Sequence, residues 1–149
     1  MRGDREAPTR TDMLKLCTFY IGDHQFGVDI LKVLEINKNQ SITTVPRSHD
    51  FIVGVMNLRG RIVTVIDLSK KLGLSFTAPG RQNRTIIVHS QEEYIGLRVD
   101  RIGDVVPART DKVEPPPVNI DGVLGKFTEG VLKSDGNLIA ILDVEAVLA

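Results

Sequence analysis

The chain has 149 residues and a mass of 16.4 kDa, room for one ordinary domain or two very small units sharing a core. Nineteen basic and nineteen acidic side chains cancel, which leaves no broad field to hold nucleic acid or an anionic membrane surface. The single Cys17 can make neither an internal disulfide nor a cysteine metal knuckle, residues 1–12 carry no apolar leader, and no apolar run approaches the ~20 residues of a membrane helix. The expected setting is therefore the reducing cytoplasm, with no direct membrane insertion.

Forty-one Val, Ile and Thr residues against six Ala predict a chain dominated by strands. With no Trp and seven other aromatics, the stacking platforms of single-strand nucleic-acid binders are missing. Residues 1–12 read as a disordered arm, and residues 13–149 as a single domain. The first strand is expected from about Leu14, with Leu16 to Ile21, a turn at Gly22-Asp23-His24, and alternating Phe26, Val28 and Ile30 forming a hairpin. Val33 to Ile36 follows as a short extended piece. Phe51 to Leu58 and Arg61 to Leu68 are apolar runs split by Arg59-Gly60. Asp67 then leads into one helical turn near Ser69 to Leu72, stopped by Gly73.

Repetition is the most informative feature. A shift of 76 positions lays Gly54, Val55, Gly60, Asp67 and Leu72 on Gly130, Val131, Gly136, Asp143 and Leu148. Upstream, a shift of 69 lays Gly27, Ile30, Val33, Glu35 and Ile36 on Gly96, Val99, Ile102, Asp104 and Val105. The seven extra residues fall near Glu114 to Asp121, where Pro115-Pro116-Pro117 imposes an extended loop. Two similar β units result, about 14–80 and 81–149. Each is too small to bury enough surface alone, so the two are expected to share a core as packed β-barrels of five or six short strands, each closed by a short helical turn.

No catalytic constellation emerges. Asp67 and Asp143 invite comparison with a two-lobed aspartic hydrolase, whose carboxylates would have to meet in a cleft. Both lie where a strand hands over to a helical turn, which predicts N-caps. His24, His49 and His89 are scattered without metal or nucleophile-base spacing. Gly125-Lys126-Phe127 lacks the leading Gly and the following Ser or Thr of a phosphate loop. Cys17, among apolar neighbours, is expected to be a small buried filler.

Positions where one repeat departs from local turn chemistry are the candidates for function. Asp135-Gly136 is a strong hairpin turn, and its counterpart is Arg59-Gly60. Arginine loses roughly 1 kcal/mol in a left-handed position. Two readings are open: a guanidinium wanted on the outside, or a neutral solvated turn residue. A second candidate is Val33-Leu34-Glu35-Ile36, where alternation with Leu34 and Ile36 inward would leave Val33 and Glu35 on the surface.

The run Phe51-Ile52-Val53-Gly54-Val55-Met56-Asn57-Leu58-Arg59-Gly60-Arg61-Ile62-Val63, followed by Ile66-Asp67-Leu68, resembles the signature of the CheW family of chemotaxis coupling proteins. The likeness extends from about Leu14 to Leu148, and its signature positions include Gly54, Asn57, Leu58, Arg59, Gly60 and Asp67. It implies an all-β fold of two five-stranded, Src-homology-type barrels on a shared hydrophobic core. It also implies a non-enzymatic adaptor without cofactor or metal, linking chemoreceptor cytoplasmic tips to the regulatory domain of the histidine kinase CheA, with other CheW-like domains as further partners. Val33, Glu35 and Arg59 match family positions implicated in receptor coupling, while for the kinase only barrel-end surfaces are implied. The setting implied is cytoplasmic, at receptor arrays on the inner face of the membrane. A coupling protein for a pilus, developmental or second-messenger pathway is the alternative circuit. Thr64 stands where the family usually has proline, and an altered sheet edge is expected there.

Overall fold

The computed structural model describes residues 13–38, 42–46, 49–74, 80, 82–90, 92–116 and 125–148. The expected N-terminal arm at 1–12, and residues 117–121 of the loop that carries the repeat's extra length, lie outside these. Among the described residues, ten strands run β1 (Met13–Ile21), β2 (His24–Asp29), β3 (Val33–Asn37), β4 (Ile52–Leu58), β5 (Arg61–Asp67), β6 (Arg84–Ser90), β7 (Glu93–Val99), β8 (Arg101–Arg109), β9 (Thr128–Ser134) and β10 (Asn137–Leu142). Short helices α1 (Leu68–Lys71) and α2 (Val144–Leu148) follow β5 and β10. Gly73, at φ 74°, takes the left-handed conformation that ends α1.

Two five-stranded sheets form, in the orders β9-β10-β2-β1-β8 and β3-β6-β7-β5-β4. The repeat's two shifts map one order onto the other, so the duplication read from the sequence is also a duplication of topology. One repeat does not make one sheet, however. The hairpin β1–β2 from the first half joins β8, β9 and β10 of the second, while β6–β7 from the second half joins β3, β4 and β5 of the first. The exchange happens at short connectors: the 3-10 turn Ile30–Lys32 alone separates β2 from β3, and Asp100 alone separates β7 from β8. At each of these connectors the chain passes directly from one sheet into the other.

The packing follows from the exchange. Leu16, Ala108, Leu132, Ile139 and Ile141 fill the first sheet's concavity, and Met56, Val63, Val65 and Ile87 fill the second's. A larger shared core joins residues of both hairpins, including Phe19, Phe26, Val28, Ile86, Val88 and Leu97, with Leu68 and Val147 of the two helices. Cys17 is buried there, and burial pushes its thiol pKa up, in keeping with a structural filler. Each apolar side chain of this size stabilises the fold by about 1.5–3 kcal/mol, which makes the shared core the main bond between the halves.

Among the described residues the strand ladders do not close into barrels, which corrects the expected closed form. What joins the two edges of each sheet is a strap. Beyond β3, Thr43 exchanges two backbone hydrogen bonds of 2.8 Å with Val55 on the opposite edge strand β4. Beyond β8, Glu114 does the same with Val131 on β9, at 2.9 and 2.8 Å. The two straps are repeat equivalents and leave each sheet compatible with a small Src-homology-type barrel. Thr64 is not at an edge either: β5 lies between β4 and β7, with Thr64 opposite Val55 on one side and Ile95 on the other. A residue with a backbone N–H suits that internal position.

Candidate functional site

Arg59 and Gly60 form the two-residue turn between β4 and β5, with φ of 54° and 84°, and their counterparts Asp135 and Gly136 stand at 50° and 82°. Both hairpins thus demand the left-handed region twice, and only one answers with a residue that tolerates it. The Arg59 side chain is 74% exposed, yet its Nη1 lies 2.6 Å from Oε1 of Glu35, whose side chain is 23% exposed. Glu35 is on β3 and Arg59 at the end of β4, the two edges of the second sheet. The ion pair therefore spans the open side of that sheet, as the Thr43 strap does. An exposed pair of this kind contributes at most about 1 kcal/mol to folding, too little to account for keeping arginine in such a turn.

The expected facing of β3 is overturned. Leu34 and Ile36 are 49% and 42% exposed, whereas Val33 and Glu35 are half-buried and Val33 packs against the shared core. The period of two holds along β3, with Val33, Glu35 and Asn37 turned inward and Leu34 and Ile36 outward, but in the opposite phase to that expected; a register shift against β6 falls between Val33 and Glu35. The edge strand presents Leu34 and Ile36 outward, with Leu31 of the preceding turn 88% exposed.

Immediately before Val33, Lys32 places Nζ 2.8 Å from Oε1 of Glu145 on α2, and the Ser90 hydroxyl at the end of β6 donates to the other oxygen of the same carboxylate. The hydrogen bond from Lys32, then that from Ser90, holds the Glu145 carboxyl below the ordinary carboxylate range, and Glu145 in turn holds the Lys32 ammonium above its ordinary value. This clasp is complete at neutral pH. It is lost at acid pH as Glu145 protonates, and at alkaline pH as Lys32 deprotonates.

Asp67 accepts from the backbone N–H of Ser69 at 3.0 Å and of Lys70 at 3.4 Å, while Asp143 accepts from Ala146 at 3.1 Å. Both are helix caps, and Asp67 additionally meets Arg98 Nη2 at 3.1 Å inside the protein. Arg98 was not singled out in the sequence. The signal was present, because the repeat lays Arg98 on Asp29 and so breaks a charge symmetry. In the other half Glu129 faces Asp143, Glu145 and Asp29 near Lys32, and burial first, then Asp143, pushes its pKa up.

His24 begins β2, while His49 stacks on Phe51 and His89 on Tyr94. Among the described residues no group of His, Cys, Asp and Glu could hold a metal ion, and no helix is long and apolar enough to cross a membrane. At one end of the first sheet, Phe26, Val131, Leu138 and Ala140 line an open apolar groove of 230 Å³ rimmed by Asp23 and His24. The matching end of the second sheet carries Arg61 stacked 4.0 Å over Tyr94. The two ends of the duplicated fold are therefore chemically distinct.

Together these features define a duplicated β module with charged pairs and exposed apolar residues on its sheet edges and ends. The chain belongs to the CheW family of chemotaxis proteins: the CheW-like domain model matches residues 15–149. It is 32% identical over 143 residues to the chemotaxis protein CheW of Thermotoga maritima, covering 94% of this chain and 93% of that one. A probable chemotaxis protein CheW of Rhizobium etli is 30% identical over 148 residues, 99% of this chain and 90% of the relative. The crystal structure of the scaffolding protein TtCheW from Thermoanaerobacter tengcongensis superposes with a TM-score of 0.81 at 36% identity, covering 87% of this chain and 88% of that one.

Proposed function

We propose that this protein is a non-enzymatic adaptor that couples the cytoplasmic tip of a chemoreceptor to the regulatory domain of a CheA-type histidine kinase and helps build the signalling array. The observation that carries the reading is Arg59, a long cation kept in a left-handed turn, largely exposed and aimed along the mouth of the second sheet onto Glu35. Folding alone gains little from it. A receptor tip is a helical hairpin, and the exposed Leu34 and Ile36 can meet its apolar stripe while the Glu35–Arg59 pair fixes register. Val33 supports that strand from the core side. The apolar groove at Leu138 and the Arg61–Tyr94 end offer surfaces for the kinase domain and for other CheW-like domains. Receptor state would bias how the adaptor holds the kinase, with avidity supplied by the array. The site of action is the cytoplasmic side of the membrane, reached through the receptor.

The Arg59→Glu variant tests this. It should fold normally, yet reduce receptor-stimulated kinase autophosphorylation in a reconstituted mixture by roughly tenfold, the scale of about 1.4 kcal/mol in coupling. Unchanged stimulation would remove Arg59 from the coupling surface.

A further inference from the structure

We infer that Asn57 is a positioning residue that holds Arg59 in its coupling conformation, an inference that rests on the receptor-coupling reading of Arg59. Asn57 lies two residues before Arg59 on β4, is exposed, and its Oδ1 accepts the backbone N–H of Gly60 at 2.9 Å. That hydrogen bond ties the far side of the turn to the strand that enters it, so the conformation with Arg59 at φ 54° is held by a side chain outside the ladder.

The repeat supplies an internal control. The counterpart of Asn57 is Lys133, which has no side-chain acceptor, and the counterpart of Arg59 is Asp135, which adopts φ 50° with less strain. The hairpin that needs a clamp has one, and the hairpin that does not need it has none. On the other side of the ion pair, Asn37 Nδ2 donates to Glu35 Oε2 at 3.5 Å. A continuous path thus runs from Asn57 through Gly60 and Arg59 to Glu35. Without the clamp the turn samples other conformations, and a partner that needs Arg59 beside Glu35 binds more weakly by the fraction of time the pair is absent.

The test uses the full chain, amide hydrogen exchange at Gly60, and titration with a soluble helical-hairpin fragment of a chemoreceptor tip encoded in the same genome. Asn57→Ala should exchange the Gly60 amide roughly fivefold faster and bind the fragment a few-fold more weakly. Asn57→Asp keeps the acceptor and should restore Gly60 protection and most of the binding. In an Arg59→Gly background, where fragment binding is already weak, Asn57→Ala should weaken it no further. Unchanged Gly60 exchange in Asn57→Ala overturns the clamp itself. Equal losses of binding with and without Arg59 overturn its action through Arg59. Should Arg59→Gly bind the fragment as tightly as the parent, the coupling reading of Arg59 falls and the positioning role falls with it.

Discussion

Replacing Gly54 with alanine is expected to destabilise the protein by about 3 kcal/mol or more, with the loss falling on the second sheet. A Cβ at this position would stand 2.1 Å from the Thr43 carbonyl oxygen and 2.9 Å from Cγ2 of Ile42, and the residue's φ of 155° is one that only glycine adopts freely. The obstacle is backbone, and the backbone of the strap itself, so relief requires breaking the two hydrogen bonds between Thr43 and Val55. Gly130 is the repeat equivalent. Its Cβ would stand 2.8 Å from the Glu114 oxygen and 2.7 Å from Cγ1 of Val113, so Gly130→Ala should cost less than Gly54→Ala. Urea denaturation at constant m-value measures both. A cost below about 1 kcal/mol for Gly54→Ala would show that the strap does not hold the sheet together.

Arg98→Met is expected to cost about 2–4 kcal/mol, because it leaves the Asp67 carboxylate inside the protein without its cation. The side chains are 18% and 8% exposed, so water can replace the guanidinium only poorly. One Asp67 oxygen is occupied by the Ser69 hydroxyl at 2.6 Å and by the cap, which leaves the oxygen facing Arg98 as the one stranded. Asp67→Asn in the Arg98→Met background should recover part of the loss, because the neutral amide carries no unpaired charge. A double-mutant cycle by chemical denaturation gives the coupling, and additive costs would rule out the pair as a structural lock.

Much of this was legible in the sequence, and particular residues mark the boundary. The repeat anchors Gly54 and Gly130 were visible, as were both turns and both capping aspartates, because each depends on local backbone preference. Why those glycines recur was not visible, since the strap that crowds them is a non-local contact. The exchange of hairpins between halves was hidden for a related reason: periodicity places strands without saying which pair. On β3 the alternation held but its phase was read the wrong way round, because Leu34 and Ile36 are apolar and yet face outward, so hydrophobicity alone picks the wrong face. Arg59 stood out as the wrong residue for its turn, but its pairing with Glu35 depends on the second sheet bringing its two edges together. The hydrogen bond that Asn57 accepts from the Gly60 amide appears only in three dimensions.

The proposed coupling role requires the chain to bind the regulatory domain of a CheA-type kinase. Isothermal titration against the regulatory domain of each CheA-type kinase encoded in the same genome tests it most directly. Saturable one-to-one binding to one such domain is the expected result. Absence of binding to every one of them at concentrations up to about 100 μM, where even a weak interface of roughly −5.5 kcal/mol would register, would contradict it.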